Sequence, residues 1–374
     1  MIFKHMSISD LHISTTKQPY DYMPELLNII DYIDDLYIKG DYINLLSING
    51  DLFERVYSAN DPCIAMASSF IDALNKRAVS YNFKIIIIRG TLSHDNTQIE
   101  LFKPIFSDYF VYVDTPTVIE YLGLRIRAIP EYYATEYSEL SDMIFKDTVC
   151  DITILHGLIE NCAPFVKFSH NDTSDIKVSQ VIPLDDLLTY NRYYTVAGHI
   201  HNRIIIDDRI WYTGSYSSSS FSDANVKKGF DIIVIDTDKD EYTVNFIENT
   251  KAKSYRIING TEPCCRVIHK AKAFFNAMRI DKADNDIVRI DINCNNFTEE
   301  QMNNVNAIMS QFNKYFKFKI IRDIKQSASA SNIIEEAEFV LSPEVTLVEK
   351  LQLIIKEKYD VDMTEDRLNE ILDL

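Results

Sequence analysis

No run in this chain approaches the roughly 20 consecutive apolar residues that a membrane-spanning helix needs, so no membrane-embedded role is expected. The first apolar stretch is interrupted by Lys4, His5 and Asp10 and lacks the layout of a signal peptide. The expected compartment is the cytoplasm. Cysteine is scarce, with 6 in 374 residues (Cys63, Cys150, Cys162, Cys264, Cys265 and Cys294) and no C-x-x-C spacing. That excludes a zinc knuckle and reads as reduced, largely buried thiols. Basic charge is in deficit, with 38 Lys and Arg against 56 Asp and Glu and a net charge of −18. A protein that binds nucleic acid unaided leaves a basic footprint, and globally this chain has none. The deficit is uneven: Glu335 to Leu374 holds 12 acidic and 4 basic residues, so 40 positions carry −8 of the −18. Acidity argues against a stand-alone DNA binder but not against one whose partner supplies the basic surface.

What the chain does have is a repeated local shape, an apolar β-type run that stops at Asp or His. It occurs at Ser7-Ile8-Ser9-Asp10-Leu11-His12, Ile48-Asn49-Gly50-Asp51, Arg89-Gly90-Thr91-Leu92-Ser93-His94-Asp95, Ile154-Leu155-His156-Gly157 and Val196-Ala197-Gly198-His199-Ile200-His201. Five such strand ends, delivering oxygen and nitrogen donors, point to one shared site.

The organisation around them is α/β. A strand over residues 2–9 is followed by a helix opened by Pro24, with Leu26, Leu27, Ile30, Ile33 and Leu36 at helical spacing, closing at Gly40. A strand over 43–48, a helix from Pro62 to about Ala78 and a strand over 83–88 complete β-α-β-α-β, the pattern of a doubly wound sheet with helices on its faces. Ligands of such sheets sit beyond the carboxyl ends of the strands, where every suspected ligand falls. A hairpin around Gly123, a helix over 138–145 and strands over 151–155, 193–197, 203–206, 210–213, 230–236 and 242–247 then suggest a second, partly antiparallel sheet packed on the first. The first domain is expected over 1–250 and a small α/β capping domain over 255–326. A helical segment over 333–374 follows a Ser/Ala linker. The cap's last strand carries Lys314, Lys317, Lys319, Arg322 and Lys325 against Asp323, either a solvated face or a contact for a phosphate backbone. The last helices, amphipathic over Thr346 to Tyr359, dock on the parent domain or on a partner.

Asp10, His12, Asp51, His156, His199 and His201 together supply two carboxylates and four imidazoles. Such a set suits two first-row divalent ions bridged by a carboxylate, favouring manganese, iron or zinc over calcium. Two ions about 3.5–4 Å apart lower the pKa of a bridging water and clamp both oxygens of a phosphate ester. The expected chemistry is therefore phosphoester hydrolysis. His94 is the best placed general acid, with Asp95 beside it to fix its tautomer.

The order Asp-x-His, Gly-Asp, a turn from Gly to His-Asp, His, and Gly-His-x-His resembles the calcineurin-like metallophosphoesterase superfamily. Gly50-Asp51-Leu52-Phe53 and Tyr212-Thr213-Gly214-Ser215 further resemble its SbcD-type nucleases, the catalytic subunits of recombination and double-strand-break repair complexes, phage-encoded ones included. The resemblance implies a two-sheet sandwich with helices on its outer faces, plus the cap and a C-terminal segment that binds the coiled-coil base of an SMC-like, SbcC-type ABC ATPase. It implies a manganese-dependent DNA exonuclease and endonuclease, a homodimer within a heterotetramer, with iron, zinc or magnesium as alternative ions. By residue, it implies that Asp10, His12 and His201 hold the first ion, Asp51 bridges, His156 and His199 hold the second, and His94 is the general acid.

The chain departs from the family at one turn. The family has Gly-Asn-His-Asp, whose Asn amide oxygen ligates the second ion; here two residues are inserted and no Asn precedes His94. Ser93 is the expected substitute, with Thr91 the other choice, and a hydroxyl donor implies a weaker second site. Glu54 stands where several relatives have a histidine. Two rival readings stay open: another metallophosphoesterase, cleaving small diesters or phosphoproteins, and a scaffold subunit that has lost activity.

Overall fold

Helix boundaries follow the local chemistry of the chain. In chain order the larger part contains β1 (Ile2–Ile8), α1 (Met23–Ile38), β2 (Leu45–Asn49), α2 (Pro62–Tyr81), β3 (Lys84–Ile88), a 3-10 helix (Gln98–Ile105), β4 (Phe110–Val113), β5 (Thr117–Tyr121), β6 (Leu124–Ile129), α3 (Tyr137–Ile144), β7 (Cys150–His156), β8 (Leu158–Ile159), β9 (Val181–Ile182), α4 (Leu184–Thr189), β10 (Asn191–Gly198), β11 (Ile204–Asp207), β12 (Ile210–Tyr212), β13 (Gly229–Asp236) and β14 (Glu241–Glu248). This computed structural model describes most of residues 1–260, leaving out 15–21, 133–136, 146–147, 161, 163–180, 219–222, 225 and 253. Beyond 260 it describes chiefly 286–292 and 317–322. α1 has Pro24 in its first turn and buries Leu26, Ile29, Ile30 and Ile33, one helical stripe. α2 begins where the Asp61 side chain accepts from the Cys63 amide, and it ends at Asn82 in the left-handed region.

The strands form two six-stranded sheets, ordered β14-β13-β1-β2-β3-β4 and β11-β12-β10-β7-β6-β5. β1 to β4 run parallel, as do β6, β7, β10 and β12. Side-chain alternation sets the layers. Ile85 and Ile87 pack with α1 and α2, whereas Ile86 and Ile88 pack against Ile126, Ile152, Ile154 and Val196 of the second sheet. On that sheet's outer face, Leu155 and Ala197 meet Ile144 of α3 and Leu187 of α4. The layers are therefore helix, sheet, sheet, helix, an α/β sandwich. Each fully buried Ile stabilises this arrangement by about 1.5–3 kcal/mol.

Two expectations need correction. The helices α1 and α2 cover one face of the first sheet, not both, because its other face is taken by the second sheet. The strands expected at 230–236 and 242–247 do not extend the second sheet: β13 pairs antiparallel with β1, and β14 pairs with β13. β13 is buried along most of its length, which suits it to an interior position that a two-sided apolar strand can fill.

The interface between the sheets also contains a polar chain. His5 Nδ1 lies 2.8 Å from Tyr194 OH and Nε2 2.7 Å from Ser47 Oγ. Ser47 Oγ donates to Asn49 Oδ1 at 2.7 Å, and Asn49 Nδ2 donates to Ser7 Oγ at 2.8 Å. Burial pushes the His5 pKa down to about 3, so the ring is neutral, with one nitrogen donating and the other accepting. His5 is thus a satisfied core residue.

In the C-terminal part, β15 (Ser254–Gly260), β16 (Asp286–Ile292) and β17 (Lys317–Arg322) form a parallel three-stranded sheet. Parallel neighbours require crossover segments, consistent with an α/β unit. The helices expected within it, Lys314, Lys325 and the whole segment 333–374 lie outside the described residues. Among the described residues, no helix is long and apolar enough to cross a membrane.

Candidate metal centre

Parallel strands present their carboxyl ends at the same edge of a sandwich, and there the motif residues converge. Asp10 and His12 follow β1, Asp51 follows β2, the Gly90–Asp95 turn follows β3, His156 ends β7, and His199 and His201 follow β10. The backbone is bent sharply at these positions. Asp10 (φ +50°), His12 (+49°), Asp51 (+49°) and His199 (+96°) all adopt the left-handed region that L-residues avoid. Strain of about 1–3 kcal/mol per residue persists only where surrounding structure enforces it, commonly at functional sites. Close packing enforces it here. A Cβ on Gly198 would lie 2.1 Å from the Asn49 carbonyl oxygen, and one on Gly90 would lie 2.2 Å from the Asp51 amide.

Three groups of donor atoms lie within 4.8 Å of one another: Asp10 with His12 and His201, His12 with Asp51 and His94, and Asp51 with His156 and His199. His12 Nε2 and His201 Nε2 are 2.9 Å apart. Asp51 divides its carboxylate between the two histidine pairs, with Oδ2 3.8 Å from His12 Nε2 and Oδ1 3.3 Å from His156 Nε2. Asp10 ties the pairs together from below, accepting the His199 amide at 3.0 Å. Asp10, His12, Asp51 and His156 are all buried. Ligands at bonds of about 2.0–2.2 Å stand roughly 3 Å apart when adjacent, so these separations and this mixed oxygen and nitrogen set fit divalent first-row ions.

The charges around the site are strongly coupled. Burial works against protonation of His156, yet Asp51, with help from Asp10 and Glu131, raises its pKa to about 10. Burial would likewise raise Asp51, but His156, His94 and His12 hold it well below the usual carboxylate range. His12 is driven well down by burial and by His201, and His199 is lowered by burial. His201 is raised despite burial because Asp223 stands behind it. Within each pair the proton affinity of one imidazole is raised and that of the other lowered.

Partners behind the rings orient them. His156 Nδ1 lies 2.7 Å from the Asn49 carbonyl, leaving Nε2 to face Asp51. His12 Nδ1, by contrast, is 3.4 Å from Glu54 Oε2 and makes no hydrogen bond among the described residues. His201 Nδ1 is 3.6 Å from Asp223 Oδ1, and Asp223 is held by Lys228, whose Nζ donates to Asp223 Oδ1 at 2.9 Å, Ser215 Oγ at 2.8 Å and the His201 carbonyl at 2.9 Å. Asp223 and Lys228 are both buried, and their mutual charge offsets the cost of removing each from water. The sequence offered no local signal for this triangle, since Asp223 and Lys228 fall in a polar stretch with no strand-end pattern. Glu54 stood out only against the sequence pattern that the chain resembles.

At the Gly90–Asp95 turn the structure rearranges the expected roles. Asp95 does not touch His94. It is buried and accepts from the Gly90 amide at 2.8 Å and the Phe53 amide at 3.2 Å, and burial and Asp51 push its pKa up to about 7. The partner of His94 is instead the Glu54 carbonyl, 2.5 Å from Nδ1. Gln98 fastens the same turn, donating to the His94 and Arg55 carbonyls and accepting the Tyr57 amide. Ser93 is exposed, and its carbonyl accepts the Val56 amide. Thr91 is the hydroxyl that reaches the second pair, with Oγ1 3.4 Å from His156 Nε2 and 3.5 Å from Asp51 Oδ2, while its amide donates to Asp51 Oδ1 at 2.7 Å. Of the two hydroxyls, the one next to Gly90 therefore faces the second pair.

No family model matches the chain, and no curated protein does. Among solved structures, a glutamine-dependent NAD+ synthetase from Acinetobacter baumannii in complex with adenosine diphosphate aligns over 100% of this chain and 76% of its own, at 12% identity and a TM-score of 0.30. That level of likeness carries no argument about fold or function.

Proposed function

We propose that this chain is a calcineurin-like metallophosphoesterase and, within that superfamily, an SbcD-type subunit that hydrolyses DNA phosphodiester bonds. The observation that carries the reading is the division of one buried carboxylate, Asp51, between two histidine pairs. Two divalent ions, manganese foremost and iron, zinc or magnesium as alternatives, would supply an activated water and charge for the attacking and leaving oxygens. Asp10, His12 and His201 would hold one ion, His156 and His199 the other, with Asp51 between them. His94 stands within 4.8 Å of His12 and Asp51 donor atoms. Its Nδ1 is committed to the Glu54 carbonyl, so Nε2 is free to carry a proton to the departing oxygen.

The nuclease branch rests on the motif residues and their roles. Leu52 and Phe53 after Asp51 are fully buried, and Phe53 stacks on Phe102. Tyr212 donates to the Gly157 carbonyl at 3.0 Å and accepts the Ile159 amide at 2.9 Å, fixing the chain just after His156. The acid-rich composition makes an ATPase partner, bound by the C-terminal helices, the source of the main DNA-binding surface, with the active species a homodimer within a heterotetramer in the cytoplasm.

Purified chain loaded with manganese should cleave labelled double-stranded DNA, more strongly with the ATPase. Absence of DNA cleavage with both ions bound, alongside hydrolysis of bis-p-nitrophenyl phosphate, would reassign it to small diesters. Function that survives replacement of Asp51 or His94 would make it a scaffold.

A further inference from the structure

We propose that Glu131 is an acidic member of the second metal's site, supplying there the negative charge that compensates for the missing amide ligand. This rests on the two-metal reading above. The argument begins with register. β6, β7 and β10 are adjacent and parallel, and Ile129, Leu155 and Ala197 are aligned across them. One residue past Leu155 comes His156, two past Ala197 comes His199, and two past Ile129 comes Glu131. Three neighbouring strands of one sheet thus each deliver one ionisable residue at the same edge. The Glu131 amide also donates to the Arg89 carbonyl at 3.2 Å, which anchors it beside the Gly90–Thr91 turn, where the family's amide ligand is absent.

Glu131 is 6% exposed, and among the described residues none hydrogen-bonds its buried Oε2. The nearby guanidinium of Arg89 donates from Nη2 to the Glu131 carbonyl at 3.0 Å. Burying an unpaired carboxylate is costly, and natural folds retain such groups chiefly where a cation or a reaction uses them. Glu131 does not share the 4.8 Å donor group of Asp51, His156 and His199. On this proposal it acts from outside that group, as outer partners of metal sites do.

Manganese alone tests this, by calorimetric titration and by electron paramagnetic resonance of the bound ions. The unaltered chain is expected to bind two ions. Glu131→Gln should leave the first unchanged and weaken the second about 10–100-fold, while Glu131→Asp should restore most of the loss. Two ions bound to Glu131→Gln at unaltered affinity overturn the assignment with the two-metal reading intact. An unaltered chain that binds no manganese overturns both.

Discussion

The two histidine pairs are built from the same residue types but are backed by different groups. Behind the first, Asp223 stands at His201 and is clamped by the buried Lys228, while Glu54 lies 3.4 Å from His12 Nδ1 without a hydrogen bond to it. Behind the second, His156 leans on a neutral carbonyl, that of Asn49, and Glu131 makes no hydrogen bond through Oε2. A carboxylate behind an imidazole raises its basicity and fixes its tautomer, so it strengthens metal binding more than a carbonyl does. On the two-metal reading the comparison would rank the ions, the first held more tightly than the second. The weak hydroxyl of Thr91 in the turn points the same way.

The largest effect should come from the residue the two pairs share. Asp51→Asn removes the bridging charge but keeps its shape, and it should lower kcat/KM for DNA cleavage by about 10²–10³-fold and reduce manganese binding at both positions. Binding of both ions undiminished in a calorimetric titration would remove Asp51 from the centre. The next effect is on pH dependence. Metal-free His156 keeps its proton up to about pH 10, and a cation must displace it. The affinity of the second ion should therefore rise about tenfold per pH unit between pH 7 and 9. His199 and His12, both lowered, add no proton to this release. Calorimetry in two buffers of different ionisation enthalpy reads the protons released. A flat affinity over this range would mean that His156 is neutral without metal.

The positions of the ligands were legible in the sequence because each sits at a strand end, where a change from apolar run to Asp or His is a local feature. Asp10, His12, Asp51, His156, His199 and His201 all arrive at one edge for that reason. The sandwich was legible too, though the sheet to which β13 belongs was not. Pairing of β13 with β1 joins residues more than 220 positions apart, and no spacing rule carries information over that distance. The supporting groups were hidden for the same reason. Asp223 meets His201 only once β10 and the loop before β13 are folded against each other, and the Asn49 carbonyl serves His156 through backbone geometry that any residue could provide. The turn after β3 misled in a different way. Adjacency suggested Asp95 for His94, but consecutive side chains point apart, and the turn sends Asp95 inward to the Gly90 and Phe53 amides.

Support behind the first pair can be removed one charge at a time. Asp223→Asn should weaken the first ion about 10–100-fold and leave the second within a few-fold, with Glu54→Gln acting on the same ion. Equal weakening of both ions would show that Asp223 stabilises the fold generally rather than His201.

The smallest effect tests the loosely held side through the turn. Thr91→Val deletes the hydroxyl 3.4 Å from His156 Nε2 but keeps the backbone amide that donates to Asp51. The lost interaction is a neutral hydroxyl contact, worth about 0.5–1.5 kcal/mol, so the second ion should bind roughly 2–10-fold more weakly. Ser93→Ala removes an exposed side chain and should change nothing measurable. Manganese titrations of the two variants side by side decide between them, and a Ser93 effect larger than the Thr91 effect would mean that the turn refolds around the ion.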